Sequence, residues 1–177
     1  MKTNQHGGFG KNLPESRKPV GCSAQGESFS KRYNRRMSEF KFFHPIEVRY
    51  GDLDPQGHLN NAKYLTFFEQ ARVHYLIHLG LFTKDQSFMN IGVILADAHI
   101  AFLAPIHYEN EVKVGVRTSK LGNKSMTIEQ NIINIVSGQE MAKGEVVMVT
   151  FDYQNQETIP VPEDWREKIS EFEGSRS

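Results

Sequence analysis

Cysteine is almost absent: Cys22 is the only one in the chain. One thiol excludes an intrachain disulfide and fits a reducing, cytoplasmic setting. It lies in a polar Gly/Ser stretch, which argues against a catalytic cysteine. Long apolar runs are missing as well; none approaches the about 18 residues that a spanning helix needs, so no membrane span is expected. There is no Gly-rich phosphate loop and no G-x-S-x-G elbow, which speaks against nucleoside triphosphatases and α/β-hydrolases. Excess charge of either sign is lacking too, since 21 Lys and Arg balance 21 Asp and Glu over 177 residues.

That balance hides a split. Residues 1–36 carry eight Lys or Arg against Glu15 and Glu27, leaving the remainder acidic by the same margin. This segment holds five glycines, and only Leu13 and Val20 are branched aliphatics, so it has too little apolar surface to fold. As a nucleic-acid arm it is poor in aromatics, and as a transit peptide it lacks amphipathicity. Residues 1–38 are therefore expected to form a disordered basic leader without a chemical role. Residues 39–177 form the single domain, long enough for a real core.

From Phe40 onward a regular plan is legible. Ile46, Val48 and Tyr50 alternate as in a strand, predicted over Phe43–Tyr50. The loop 51–60 carries Asp-Pro and Gln-Gly turn signals. Tyr64, Phe68, Ala71, Tyr75 and Leu79 then recur at spacings of three and four, broadened by Leu65 and Leu76. That predicts a helix over Asn61–Leu79, capped by Asn60 and by Gly80, and apolar nearly all round. Strands are expected at Val93–Ala104, with a bend at Pro105, around Val112–Arg117, at Met126–Ile132, and through Val147, Val149, Phe151 and Tyr153. Turns fall at Leu121–Lys124 and Ser137–Gly138, and a short helix closes the chain at Pro162–Phe172. The class is α+β.

The segment Arg49–Tyr64 is the most informative. It concentrates two carboxylates (Asp52, Asp54), an imidazole (His58) and two amides (Asn60, Asn61) between a strand and a helix start. A polar loop entering a helix offers both acid/base groups and free backbone N–H donors, a combination suited to acyl transfer. Asp52 reads as a turn and capping residue, and Asn60 as the helix N-cap. Asn61 is divided between capping and the site. Glu69 fits either a site role or pairing with Arg72. His74 and His78 have a spacing that can bind zinc, but no third ligand accompanies them, so no metal is expected.

Gly51-Asp52-Leu53-Asp54-Pro55 is similar to the hydroxybenzoyl-CoA type of thioesterase. Asp52-Leu53-Asp54 with Gln56, His58, Asn60-Asn61 and Lys63-Tyr64 also resembles the plant acyl-ACP thioesterases. Both belong to the hotdog superfamily, and the likeness extends over about Phe40–Tyr153. It implies a hotdog fold: a curved antiparallel sheet wrapped around one long helix. In these relatives the second aspartate is catalytic, which is Asp54 here. The plant enzymes carry Asn two residues later and His four later; this chain has Gln56 and His58. Bacterial acyl-CoA thioesterases often carry His seven residues after the aspartate, where this chain has Asn61.

The resemblance implies a thioesterase acting on acyl-CoA or acyl-ACP without a cofactor, as a homodimer or homotetramer with sites between subunits. Nucleic-acid or membrane partners are not expected. Asp54, His58 and Asn61 are the catalytic candidates, and Gln56, Tyr64, Phe68 and Glu69 the substrate-binding ones. Asp54 acts either as nucleophile or as base toward water, and the helix start serves as oxyanion hole. Two alternatives stay open: an acyl-thioester hydratase or dehydratase, and a non-catalytic acyl-CoA-binding module.

Overall fold

The computed structural model describes residues 40–82 and 91–174. The expected leader and the loop 83–90 lie outside the described residues. Strands β1 (Phe42–Ile46), β2 (Ile91–Phe102), β3 (Val112–Leu121), β4 (Ser125–Asn134), β5 (Glu140–Asp152) and β6 (Glu157–Thr158) join in one antiparallel sheet. Its order is β1-β3-β4-β5-β2, with β6 on β5. Helix α1 (Asn61–His78) lies against the sheet, and α2 (Glu163–Glu173) closes the chain. One long helix is thus cradled by an antiparallel sheet, as the resemblance implies.

β1 is shorter than expected. Its ladder ends where β3 begins, with Ile46 opposite Val112, so residues 47–50 have no strand to pair with. Val48 nevertheless stays buried. Tyr50–Asp52 then wind into a 3₁₀ turn instead of continuing the strand. Pro45 sits on this edge strand, where its missing N–H costs least.

α1 has nearly the predicted bounds. The Asn60 side chain accepts from Ala62 N at 3.0 Å, and Gly80, at φ 68°, donates to Ile77 O at 2.9 Å. Tyr64, Phe68, Ala71, Tyr75 and Leu76 point into the core. The helix is not apolar all round, however. Leu65, Thr66, Glu69, Gln70 and His74 form an exposed stripe, so Leu65 does not widen the buried face.

The sheet comes very close to this helix at Gly144. A Cβ there would lie 2.9 Å from Cε2 of the fully buried Phe68. Gln130 on β4 donates from Nε2 to Phe68 O at 2.7 Å and accepts from Arg72 at 3.1 Å, so the buried guanidinium is partnered from within the core. At the far end Tyr75 donates to Glu173 of α2 at 2.6 Å, and burial together with that carboxylate pushes its phenol strongly up.

β5 holds Val147, Val149 and Phe151 as expected and ends at Asp152, one residue short of Tyr153. Ala142, Gly144, Val146, Met148 and Thr150 form its buried row, while Val147, Val149 and Phe151 are half-buried on the other face. The expected irregularity at Pro105 lies beyond β2; the register shift falls inside that strand, between Leu95 and Asp97. Among the described residues β2 pairs with β5 alone, which leaves its other edge without a strand.

Candidate active site

The 3₁₀ turn delivers the chain from β1 to the start of α1, and Asp52 fixes that delivery. Its Oδ2 accepts from Arg49 N at 3.0 Å, and its Oδ1 pairs with Lys63 Nζ at 2.9 Å. Burial on its own would raise this carboxyl. The Lys63 hydrogen bond, the Arg49 N–H and their charges outweigh it, holding Asp52 below the usual carboxylate range. Asp52 is thus tied to the loop frame, but it closes the 3₁₀ turn rather than capping α1, whose cap is Asn60.

Beyond it the chain makes a miniature hairpin. Leu53 and Leu59 form a bridge, Asp54 N donates to His58 O at 2.7 Å, and Gly57 turns the corner at φ 79°. Within this turn Asp54 Oδ1 accepts from Gln56 N at 2.9 Å and from His58 N at 3.1 Å. Its second oxygen, Oδ2, has no hydrogen-bond partner among the described residues. A carboxylate pinned through one oxygen presents the other in a fixed place.

Asp54 lines a cleft of about 390 Å³ together with Gln56, His58 and Leu59. Asn61 and Tyr64 contribute from the first turn of α1. The opposite wall is Phe102 to Pro105, the end of β2 and the segment just after it in the same protomer. Tyr64 packs edge-on against Phe102, ring centres 4.8 Å apart. Burial and the charge of Asp54 raise its phenol, with a backbone hydrogen bond at Ile106 working against them.

Five of the seven candidates therefore meet in one cleft: Asp54, Gln56, His58, Asn61 and Tyr64. Phe68 and Glu69 do not join them. Phe68 is fully buried against Gly144, and Glu69 sits on the exposed stripe of α1. His74 and His78 diverge, His74 stacking on His44 at 4.0 Å and His78 packing against Phe42 and Phe172. Among the described residues no three His, Cys, Asp or Glu converge as a metal site.

Sequence reasoning missed His107. Its ring lies 5.0 Å from that of His58, and its Nδ1 is 3.3 Å from Gly57 O. Fifty residues separate it from the loop, so no local pattern announces it.

Residues 48–169 match the family model of the thioesterase-like superfamily. The chain belongs to that superfamily. It is a thioester hydrolase on the hotdog fold. Among solved structures it resembles a thioesterase of Thermus thermophilus complexed with coenzyme A and Zn: 34% identity, TM-score 0.67, covering 80% of this chain and 100% of that one. A thioesterase predicted in Bacillus stearothermophilus is similar at 30% identity and TM-score 0.65, covering 73% and 94%. Among curated proteins, the long-chain acyl-CoA thioesterase FadM of Escherichia coli K12 is 28% identical over 127 residues, 72% of this chain and 96% of that protein. No helix among the described residues is long and apolar enough to cross a membrane.

Proposed function

We propose that this protein hydrolyses acyl-CoA thioesters to free acid and thiol, with Asp54 as the reacting carboxylate. The observation that carries the reading is the Asp54 carboxylate itself. It is held through Oδ1 by two backbone N–H groups, leaves Oδ2 unpartnered among the described residues, and lines a cleft whose other wall is apolar. The relatives named for acyl-CoA substrates support the substrate class.

Two routes suit this geometry. As base, Asp54 takes a proton from water while the water oxygen bonds to the acyl carbon; the tetrahedral oxyanion then expels the thiolate, which regains a proton. As nucleophile, Oδ2 bonds to the acyl carbon and displaces the thiolate, and water then hydrolyses the mixed anhydride. In both, negative charge grows on the acyl oxygen. The N-terminus of α1 offers the Asn61 N–H and the positive end of the helix dipole there, because Asn60 already caps Ala62. One such donor is typically worth about 2.7–4 kcal/mol in the barrier. His58 steadies the turn through its backbone, and its ring borders the cleft, where it orients the incoming water.

We infer in addition that the active unit is a dimer. The open edge of β2 carries Ile94 and Leu95 at 38% and 43% exposure, a template for a second strand. The wall at 102–105 comes from the same protomer, and a partner subunit would complete the cleft from its open side.

A thiol-release assay over acyl-CoAs of graded length, with an aryl-CoA and an acyl-ACP beside them, tests the activity. Release from none of them would refute the reading.

A further inference from the structure

Two large aromatic side chains flank the catalytic loop without joining the core. Tyr50 is 82% exposed and Tyr108 is 54% exposed, yet their rings meet edge to face at 6.3 Å and 83°. Tyr50 sits four residues before Asp54, on the 3₁₀ turn braced by Asp52. Tyr108 follows a segment bonded to the loop twice: Ile106 O accepts from Leu59 N at 2.7 Å, and His107 Nδ1 reaches Gly57 O. Asn110 Oδ1 in turn accepts from His107 N at 2.9 Å, which closes the bend carrying Tyr108. The pair is therefore built onto the same frame as the reacting carboxylate.

Packing does not explain it. Exposed aromatics cost water contact, and a touching pair beside a cleft marks a ligand surface. Next to Tyr50 stands Arg49, its side chain 75% exposed, with only a 4.0 Å approach to Glu47 among the described ion pairs. An edge-to-face aromatic pair, with an exposed arginine next to Tyr50 in the chain, offers ring surface for a purine and a cation for an attached phosphate. The thioester end of an acyl-CoA must lie at Asp54, so its nucleotide end must come to rest outside the cleft, on the rim.

We propose that Tyr50 and Tyr108, with Arg49, form the subsite for the adenine nucleotide of the CoA thioester; this rests on the acyl-CoA reading above. Stacking of a base on an aromatic side chain typically changes affinity by about 5- to 150-fold when the ring is removed. The enzyme should therefore prefer acyl-CoA over the matching acyl-pantetheine, which has no nucleotide.

The test compares kcat/KM for these two substrates in the full-length wild type, Tyr50→Ala, Tyr108→Ala and Tyr50→Phe. The expected result is that the CoA preference falls about tenfold in each Ala variant, through KM, and survives in Tyr50→Phe. Titration with adenosine 3′,5′-bisphosphate is the second arm, saturable in the wild type and weakened in both Ala variants. An unchanged preference with hydrolysis intact overturns the subsite alone. If the wild type cleaves neither thioester, the acyl-CoA reading fails, and the bisphosphate titration alone then decides the subsite, absence of binding overturning it. A change of oligomeric state in the Ala variants without loss of CoA preference makes the tyrosines a subunit contact and also overturns it.

Discussion

Asp54→Asn separates chemistry from architecture, because the structure assigns the two carboxylate oxygens different duties. Oδ1 holds the turn through Gln56 N and His58 N. An asparagine carbonyl placed at Oδ1 keeps both bonds, and its NH2 takes the position of Oδ2. What changes in the fold is the charge on the acceptor. Bonds to charged groups contribute about 1.5–3 kcal/mol and neutral ones about 0.5–1.5. One of these bonds is exposed and the other only part-buried, so the expected loss is about 1–2 kcal/mol in total. For a domain of this size that lowers Tm by roughly 2–8 °C. The reaction loses far more. An amide can neither accept the water proton nor attack, and loss of a general base typically costs about 10²–10⁴-fold. That is a barrier increase of about 2.7–5.5 kcal/mol. Thermal unfolding and thiol release on the same preparation give both numbers. Turnover within about threefold of wild type would refute the assignment of Asp54.

Asp52→Asn should show the opposite profile, since the Asp52 carboxyl is held below its ordinary range. Such a group stabilises the fold above its unfolded pKa, so the wild type should unfold at higher temperature at pH 7, with the gap closing as pH falls below about 4. A gap that persists at about pH 2 contradicts the Lys63 and Arg49 account. Gly144→Ala pushes a methyl into Phe68 and should cost about 1–3 kcal/mol by denaturant unfolding. Sedimentation at micromolar concentration should find a dimer, with an interface of about 1,200–2,000 Å² in total; a monomer hydrolysing acyl-CoA at full rate would refute it. A chain beginning at Met37 should match the full chain in Tm and thiol release, and a large drop in either would show that the basic leader contributes.

Local chemistry made much of this protein readable in one dimension. The 3.6-residue recurrence from Tyr64 to Leu79, the Asn60 cap and the glycine turns are interactions between near neighbours, so they are written in the order of the residues. The same holds for the loop 54–58, whose hydrogen bonds close within five positions, and which with the first turn of α1 brings five of seven candidates to one cleft. Where the sequence reading failed, a distant partner decided the matter. β1 ends at Ile46 because β3 starts at Val112. Phe68 is lost to the core because Gly144, far along the chain on β5, leaves room for its ring. Glu69 is one residue further along the same helix and therefore turns outward. The wall at 102–105, His107 beside His58, and Tyr108 against Tyr50 exist only because the chain returns to its own loop after β2. Periodicity shows which side of an element is apolar; only long-range packing settles what lies across from it.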